Sequence, residues 1–348
     1  MKKLFLLTAL VGAVLTGCMN EEVYEPKSDT PISFEVANYV VQPRAAGAFD
    51  TNETFGVDAW STDATVGTVK MMDSEVVSYV STSKKWTTAT PYYWPINGTV
   101  DFIAYYPTSV KPTIVYDYAG ADKLSYGSAT EPCTVTDIDL MYADKAIRYS
   151  ANVEAFGFTG VPTYFRHALA KVNFQVQNAY PAETNNSAIT YEIVVNSITL
   201  NTYQTGSVTL TNSSTTASSP GTWSVTGNVW TPTSDLTALT WKEDTDVPLV
   251  DNTARVYNER VQYVLPQTLT EKVTVAVVYT VTQKQNGTTI SVKKYEPAAI
   301  KLNTMGLTSW EMNKNITYTI SITAKSNQIL FAPAVEDWGT ASGATTIK

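Results

Sequence analysis

Trp86-Thr87-Thr88-Ala89-Thr90-Pro91-Tyr92-Tyr93-Trp94-Pro95-Ile96-Asn97-Gly98-Thr99-Val100-Asp101-Phe102-Ile103-Ala104-Tyr105-Tyr106-Pro107 is the stretch on which the fold turns. Aromatic and β-branched residues suit a pleated, half-buried surface, and prolines are confined to strand ends and edges. Asn97-Gly98 tolerates the positive φ angles of a two-residue turn, so the spacing predicts a hairpin that rises through Tyr93-Trp94 and returns through Val100 to Tyr106. Both faces of the returning strand carry large apolar groups, Phe102 on one and Ile103 and Tyr105 on the other. That pattern belongs inside a sheet with something packed on each side. Tyr92, Tyr93 and Trp94 could alternatively form a platform for stacking sugars. Core packing is the reading that aromatic burial favours.

The same chemistry extends through the chain. It has 348 residues, enough for two domains, with 44% hydrophobic and 16% charged residues, 21 Tyr and 8 Trp. This composition predicts an all-β protein. A formal charge of -8 argues against a nucleic-acid partner, whose phosphates require a basic face. One His and two Cys leave little room for zinc sites, disulfide frameworks or histidine-based catalysis, and no cofactor is expected.

The amino end carries an address. Lys2 and Lys3 precede an apolar run from Leu4 to Leu15. The run is too short to span a bilayer, which takes about 20 residues, and suits a signal-peptide core. It ends in Leu15-Thr16-Gly17-Cys18, which resembles the lipobox of bacterial lipoproteins, with Cys18 as the lipid attachment site. Residues 1–17 are then the signal peptide and residues 18–30, acidic and polar, a tether from the outer membrane. Loss of the leader removes two positive charges and moves the formal charge from -8 to -10. Cys133 is left without a partner, as a small buried hydrophobe or a quiet loop thiol.

Pro31 to Val36 alternates and reads as the first strand, with Val40-Val41 as a possible extension. A loop of small residues around Arg44 follows, Gln42-Pro43-Arg44-Ala45-Ala46-Gly47-Ala48. Exposed loops of this kind concentrate proteolytic nicking. Phe55 to Trp60 and Val76 to Val80 read as further strands. Asp137 and Asp139 could hold calcium through oxygen ligands, although a solvated face fits a short strand with no glycine loop better. His167, the one histidine, lies in Phe165-Arg166-His167-Ala168-Leu169-Ala170-Lys171-Val172, with no nucleophile elbow nearby, and reads as structural.

In the second half, Tyr191-Ile193-Val195 and Ile198-Leu200 alternate with a parity break at Asn196-Ser197, which predicts a bulge. Residues 211–222 are low in complexity and read as loop. Val273 to Val281 keeps a period of two, Asn286-Gly287 turns the chain, and Ile316-Tyr318-Ile320-Ile322 and Ile329 to Trp338 close the pattern.

Taken in order, several of these motifs resemble the fimbrillin family, the lipoprotein-derived subunits of type V pili. They are Tyr93-Trp94-Pro95 with Phe102-Ile103-Ala104-Tyr105-Tyr106-Pro107, the Asp137 to Ala143 segment, the run around His167, Leu265-Pro266-Gln267 before a long strand, and the Trp310 and Trp338 segments. The resemblance implies two tandem antiparallel β-sandwich, transthyretin-like domains, here residues 31–160 and 161–348. It implies that an Arg-directed protease cuts between Arg44 and Ala45, removing lipid and first strand together. Such a cut takes four basic and five acidic residues and leaves a charge of -7. It further implies partners in the form of other pilus subunits, which refill the vacated groove with a donor strand, a surface location in the fimbrium, and a role in adhesion to a host or bacterial surface ligand. The tail after Trp338 offers only Ile347 as a large apolar side chain, a poor donor strand, so Ile329 to Trp338 stands as the alternative. A non-polymerising surface lipoprotein that binds glycans through exposed Trp and Tyr is the rival reading, and no acid–base constellation marks an enzyme.

Overall fold

The structure, a computed structural model, describes residues 27–38, 49–156, 158–180, 188–233, 235–241, 247–323 and 329–338. No α-helix occurs among them. The leading segment forms β1 (Lys27–Pro31) and β2 (Phe34–Asn38). A meander follows in β3 (Thr54–Asp63), β4 (Gly67–Val80) and β5 (Lys85–Thr88). Next come β6 (Tyr93–Pro95), β7 (Thr99–Tyr106), β8 (Thr113–Val115), β9 (Asp122–Tyr126) and β10 (Cys133–Thr134). The first half ends in β11 (Met141–Ala143), β12 (Lys145–Tyr149) and β13 (Val161–His167).

The second half begins with β14 (Ala170–Asn178), β15 (Ile189–Tyr203), β16 (Thr205–Asn212) and β17 (Ser219–Gly221). It continues in β18 (Thr231–Pro232), β19 (Leu236–Trp241), β20 (Arg255–Val264) and β21 (Gln267–Thr268). It closes with β22 (Thr274–Gln285), β23 (Thr288–Tyr295), β24 (Ile300–Lys301), β25 (Ser309–Trp310), β26 (Lys314–Ile322) and β27 (Ile329–Asp337).

The chain is an all-β protein of β-sandwich construction. Its largest sheet runs β11-β13-β2-β5-β4-β3-β7-β12-β17, and β11 also pairs with β7. The order from β11 through β2 to β7 therefore returns to its start, so these strands present no free edge to other chains, and β12 with β17 branches from β7. Ile32, Phe34, Phe55, Trp86, Phe102 and Phe165 fill the interior of this ring. Its outer face, through Trp60, Ile103 and Tyr142, packs on Leu124 and Tyr126 of the β8–β9 layer.

In the second half the sheets β20-β14-β26-β27 and β19-β15-β22-β23 lie face to face. Val172, Phe174 and Val176 of β14 meet the inward residues of β15 and β22 in one apolar cluster, and Phe174 packs edge-on against Trp241 of β19 at 4.9 Å. The expected bulge is present: the β15–β22 register shifts between Val195 and Ser197, so Val195 and Ile198 both face inward. Asn286 (φ 48°) and Gly287 (φ 80°) make the predicted tight turn between β22 and β23.

Among the described strands two pairings are parallel, β13 with β2 and β14 with β26. The second carries a ladder of side-chain hydrogen bonds: Asn173 donates to Asn315 at 2.6 Å and Gln175 to Thr319 at 2.5 Å. Hydrogen bonding also passes across residue 160. β13 belongs to the large sheet, β16 pairs with β9, and β17 pairs with β12. The apolar cluster is continuous as well, since Leu124 and Tyr126 share it with Val172 and Tyr318.

Two local expectations are corrected. Gly98 turns the chain at φ +87°, yet β6 and β7 do not pair: β6 joins β1, and β7 lies between β3 and β12. Both edges of β7 are already occupied, and Pro91 and Pro95 lack donors, so β6 is directed elsewhere. Within the low-complexity stretch 211–222, Ser219–Gly221 is a strand on β12. Gly221 permits this approach, because a Cβ there would stand 2.5 Å from Ile147 Cδ1.

Buried phenols give the fold a pH limit. Burial pushes the hydroxyls of Tyr126, Tyr142 and Tyr318 well above the ordinary 10.0, and burial with the adjacent Glu53 carboxylate takes Tyr106 up to about 12. In the unfolded chain these groups ionise near 10, so the stability they confer is complete below that pH and is lost as pH rises through their folded values. Tyrosinate absorbance of the native protein is expected to lag that of the denatured chain above pH 10, with loss of β circular dichroism as the buried groups ionise. Coincident titration curves would contradict the burial.

Candidate functional site: the seat of the leading strand

β2 reads as a strand because Phe34 and Val36 alternate with Glu35, and Ile32, earlier in the same phase, points the same way as Phe34. Ile32 and Phe34 are both buried. The Phe34 ring meets Phe55 at 5.9 Å and Phe102 at 5.7 Å, each edge-on, so it closes the interior of the ring of strands. Burial of two such side chains stabilises the docked segment by about 1.5–3 kcal/mol each.

The two walls of the seat differ. Along β13 the register runs in parallel over five residues, from Val161↔Phe34 to Phe165↔Asn38. Along β5 there is a single pair, Phe34↔Trp86. Val161 N–H donates to Ser33 O at 2.7 Å and extends the first wall, while Ile32 N–H donates to Tyr92 O at 2.8 Å, next to β6. The Glu35 carboxylate accepts from the backbone N–H and hydroxyl of Thr159 at 2.6 and 3.0 Å. Gly160 lets the chains approach, since a Cβ at that position would lie 2.8 Å from Ser33 O.

The β13 wall is braced independently of β2. Arg166 holds Asp144 through two nitrogens, at 2.8 and 2.9 Å, and Asp144 N–H donates to Tyr164 O at 3.0 Å. Burial pushes the Asp144 carboxyl above its usual range, and the Arg166 guanidinium opposes that shift. Phe49, the first described residue after β2, stacks on Phe165 at 4.9 Å and meets Trp86 and Tyr106 edge-on. Both walls therefore have contacts of their own that do not depend on residues 31–38. A groove built this way can hold one extended segment through main-chain hydrogen bonds and a pocket for an aromatic side chain.

Cys18, Arg44 and Ala45 lie outside the described residues. Arg44 and Ala45 fall in the stretch 39–48 that joins β2 to Phe49. Asp139 is drawn to His167, whose Nδ1 lies 2.6 Å from its Oδ2, and the imidazole stacks on Trp338 at 3.8 Å. Asp137 is exposed. Among the described residues no three His, Cys, Asp or Glu side chains are grouped to hold a metal ion. Trp94 is buried against Phe102 at 5.7 Å, which removes it as a sugar platform. Seven of the eight Trp are buried, all but Trp338, so the exposed aromatic face that a glycan binder needs is missing at those positions. Cys133 is a half-buried free thiol in β10, its pKa raised by burial.

The fold and the seat define a class: an all-β sandwich protein whose leading strand is inserted between two strands that are held in place without it. Residues 43–338 match the fimbrillin-like family, and the chain belongs to that family. Among solved structures it is similar to a fimbrial protein from Bacteroides vulgatus, at 18% identity and a TM-score of 0.62 over 89% of this chain and 100% of that one. A candidate cell adhesion protein from Bacteroides uniformis matches at 16% identity and a TM-score of 0.45, over 90% of this chain and 100% of that one. The fimbrial anchor protein Mfa2 from Porphyromonas gingivalis matches at 12% identity and a TM-score of 0.31, over 88% and 97%. No curated protein matches the chain.

Proposed function

We propose that this chain is a structural subunit of a fimbria, exported as a lipoprotein through Cys18, trimmed between Arg44 and Ala45, and assembled by exchange of its leading strand for a segment of a neighbouring subunit. Fimbrillin-like membership supports the fimbrial role. One observation carries the assembly step: β2 occupies a seat whose walls have their own supports, and its chain connection to the rest of the protein runs through residues 39–48, where Arg44 lies. Severing that connection leaves β1 and β2 held only by noncovalent contacts. An extended strand from another subunit offers the same main-chain groups and the same alternation of side chains.

The donor is sought at the carboxyl end. β27 pairs with β26 over nine residues, from Lys314↔Asp337 to Ile322↔Ile329, and β26 is its one neighbour in the sheet order. The fibre is placed at the cell surface, with other pilus subunits as partners and a role in adhesion. N-terminal sequencing of the protein recovered from the cell surface tests the reading. A start at Ala45 supports maturation. A sole species blocked at an acylated Cys18 excludes trimming and with it this route to assembly.

A further inference from the structure

A buried cluster of three charged side chains lies away from the seat, where β7 and β12 of the large sheet face β9. Lys145 opens β12, Asp101 lies in β7 and Asp122 opens β9, and all three are at most 3% exposed. Lys145 Nζ stands 2.5 Å from Asp122 Oδ2 and 3.4 Å from Asp101 Oδ2. Asp122 Oδ1 accepts the backbone N–H of Asp117 at 2.8 Å. Asp101 is fixed on both oxygens, by the Tyr116 hydroxyl at 2.5 Å and the Arg148 N–H at 2.5 Å. Lys145 Nζ also sits 4.9 Å from the Tyr116 ring centre, and Trp60 stacks on Tyr116 at 4.5 Å.

A buried ion pair is a weak device for stability, because desolvation consumes most of the attraction. This one has the parts of a reaction centre: an amine in contact with a carboxyl group, a second carboxylate in reach of the amine, a backbone donor on the oxygen where charge would develop, and aromatic side chains beside it. We propose that Lys145 and Asp122 join as an intramolecular amide cross-link, with Asp101 as the catalytic acid–base residue.

The step balances without any added reactant. One proton passes from the Lys145 ammonium to the Asp122 carboxylate, giving amine and acid. The Nζ lone pair adds to Asp122 Cγ while Asp117 N–H stabilises the oxygen of the tetrahedral intermediate. Asp101 takes the next proton from Nζ and returns it to the departing hydroxyl. A C–N bond forms, a C–O bond breaks, one water leaves, and Asp101 is regenerated. Burial at near-contact distance replaces the bimolecular requirement of amide formation, which is where effective molarity enters. The Tyr116 phenol, its pKa raised by burial and by the Asp101 carboxylate, stays protonated and keeps its bond to Asp101 throughout.

The product would tie the large sheet to the sheet that faces it. Because β9 also pairs with β16 across five residues, the bond would anchor a strand contributed by the second half of the chain. The test is intact-mass spectrometry of the full chain beside Lys145→Arg and Asp101→Asn chains processed in the same way, so that leader and lipid cancel. The wild-type chain is expected to fall short of its composition by one water, about 18 Da, while both variants show no deficit. Trypsin is expected to cut after Lys123 and to spare Lys145. A wild-type chain without the deficit overturns the proposal, as does a deficit that persists in Lys145→Arg; persistence in Asp101→Asn overturns the role of Asp101. The wild-type mass decides the matter even where a variant fails to fold.

Discussion

Cleavage of the folded chain after Arg44 is expected to convert a non-associating protein into one that polymerises, while the Arg44→Ala chain, treated identically with an Arg-specific protease, stays unchanged. The expectation follows from what the cut releases. β1 and β2 leave together, and with them the five-residue ladder on β13, the β1–β6 pairing and the side chains of Ile32 and Phe34. What remains is a slot with unpaired main-chain groups on one side and the faces of Phe55 and Phe102 at its base. Buried polar groups without partners and apolar surface open to water are both unfavourable, so the slot binds whatever extended segment fits.

The effect is separable from simple destabilisation. A synthetic peptide of residues 27–38 supplied in excess should occupy the slot and suppress polymer growth, and the same peptide with Phe34→Ala should do so far less well. Truncation of a buried Phe costs about 3–5 kcal/mol in a packed core, which corresponds to a loss of roughly two to three and a half orders of magnitude in affinity. Sedimentation velocity reads both outcomes. Trimmed chains that remain monomeric, or that polymerise equally with and without the peptide, would show that the seat is not the site of assembly.

How far the residues themselves disclosed this architecture depends on the range of the interaction involved. Alternation and turn chemistry are local, so β15 with its bulge, the Asn286-Gly287 turn and the inward faces of β22 and β26 are all legible in the residues alone. The strand nature of Phe34 and Val36 is legible for the same reason, whereas the break at Ile32-Ser33, which sends β1 to β6 and β2 into the large sheet, is not. Pairing is not local. Nothing near Phe34 announces a parallel partner at Val161, and nothing near Gly98 announces that the strands on either side of the turn join different sheets. The stretch 211–222 misleads through composition: Ser219, Pro220 and Gly221 have little strand propensity, and it is the open edge of β12 that recruits them. The charged centre is the hardest to foresee. Asp101, Asp122 and Lys145 each sit in strands where a charged residue ordinarily marks the solvent face, and only the packing of β9 over β7 and β12 makes them interior.

That centre yields the second large effect. Lys145→Ala is expected to lower the free energy of unfolding by about 3–5 kcal/mol, the range found when one partner of a buried charge pair is removed. The substitution leaves Asp101 and Asp122 facing each other in a buried site without their cation, and each retains its hydrogen-bond donors: Tyr116 and Arg148 on one, Asp117 on the other. Adding Asp101→Asn and Asp122→Asn should recover part of the loss, because the amides remove the repulsion: one oxygen at 122 still accepts from Asp117 N–H, and at 101 the single oxygen accepts from Arg148 N–H while the NH2 group turns to the Tyr116 hydroxyl oxygen as donor. Denaturant titration of the single and triple variants measures the difference, and an Ala substitution costing under about 1 kcal/mol would mean that the site is open to solvent. Lys145→Arg then separates an ionic from a covalent contact by stability as well as by mass. A guanidinium that fits beside two carboxylates preserves an ion pair at modest cost, whereas it cannot replace an amide that joins β12 to β9, so a covalent tie predicts that Arg behaves nearly as badly as Ala.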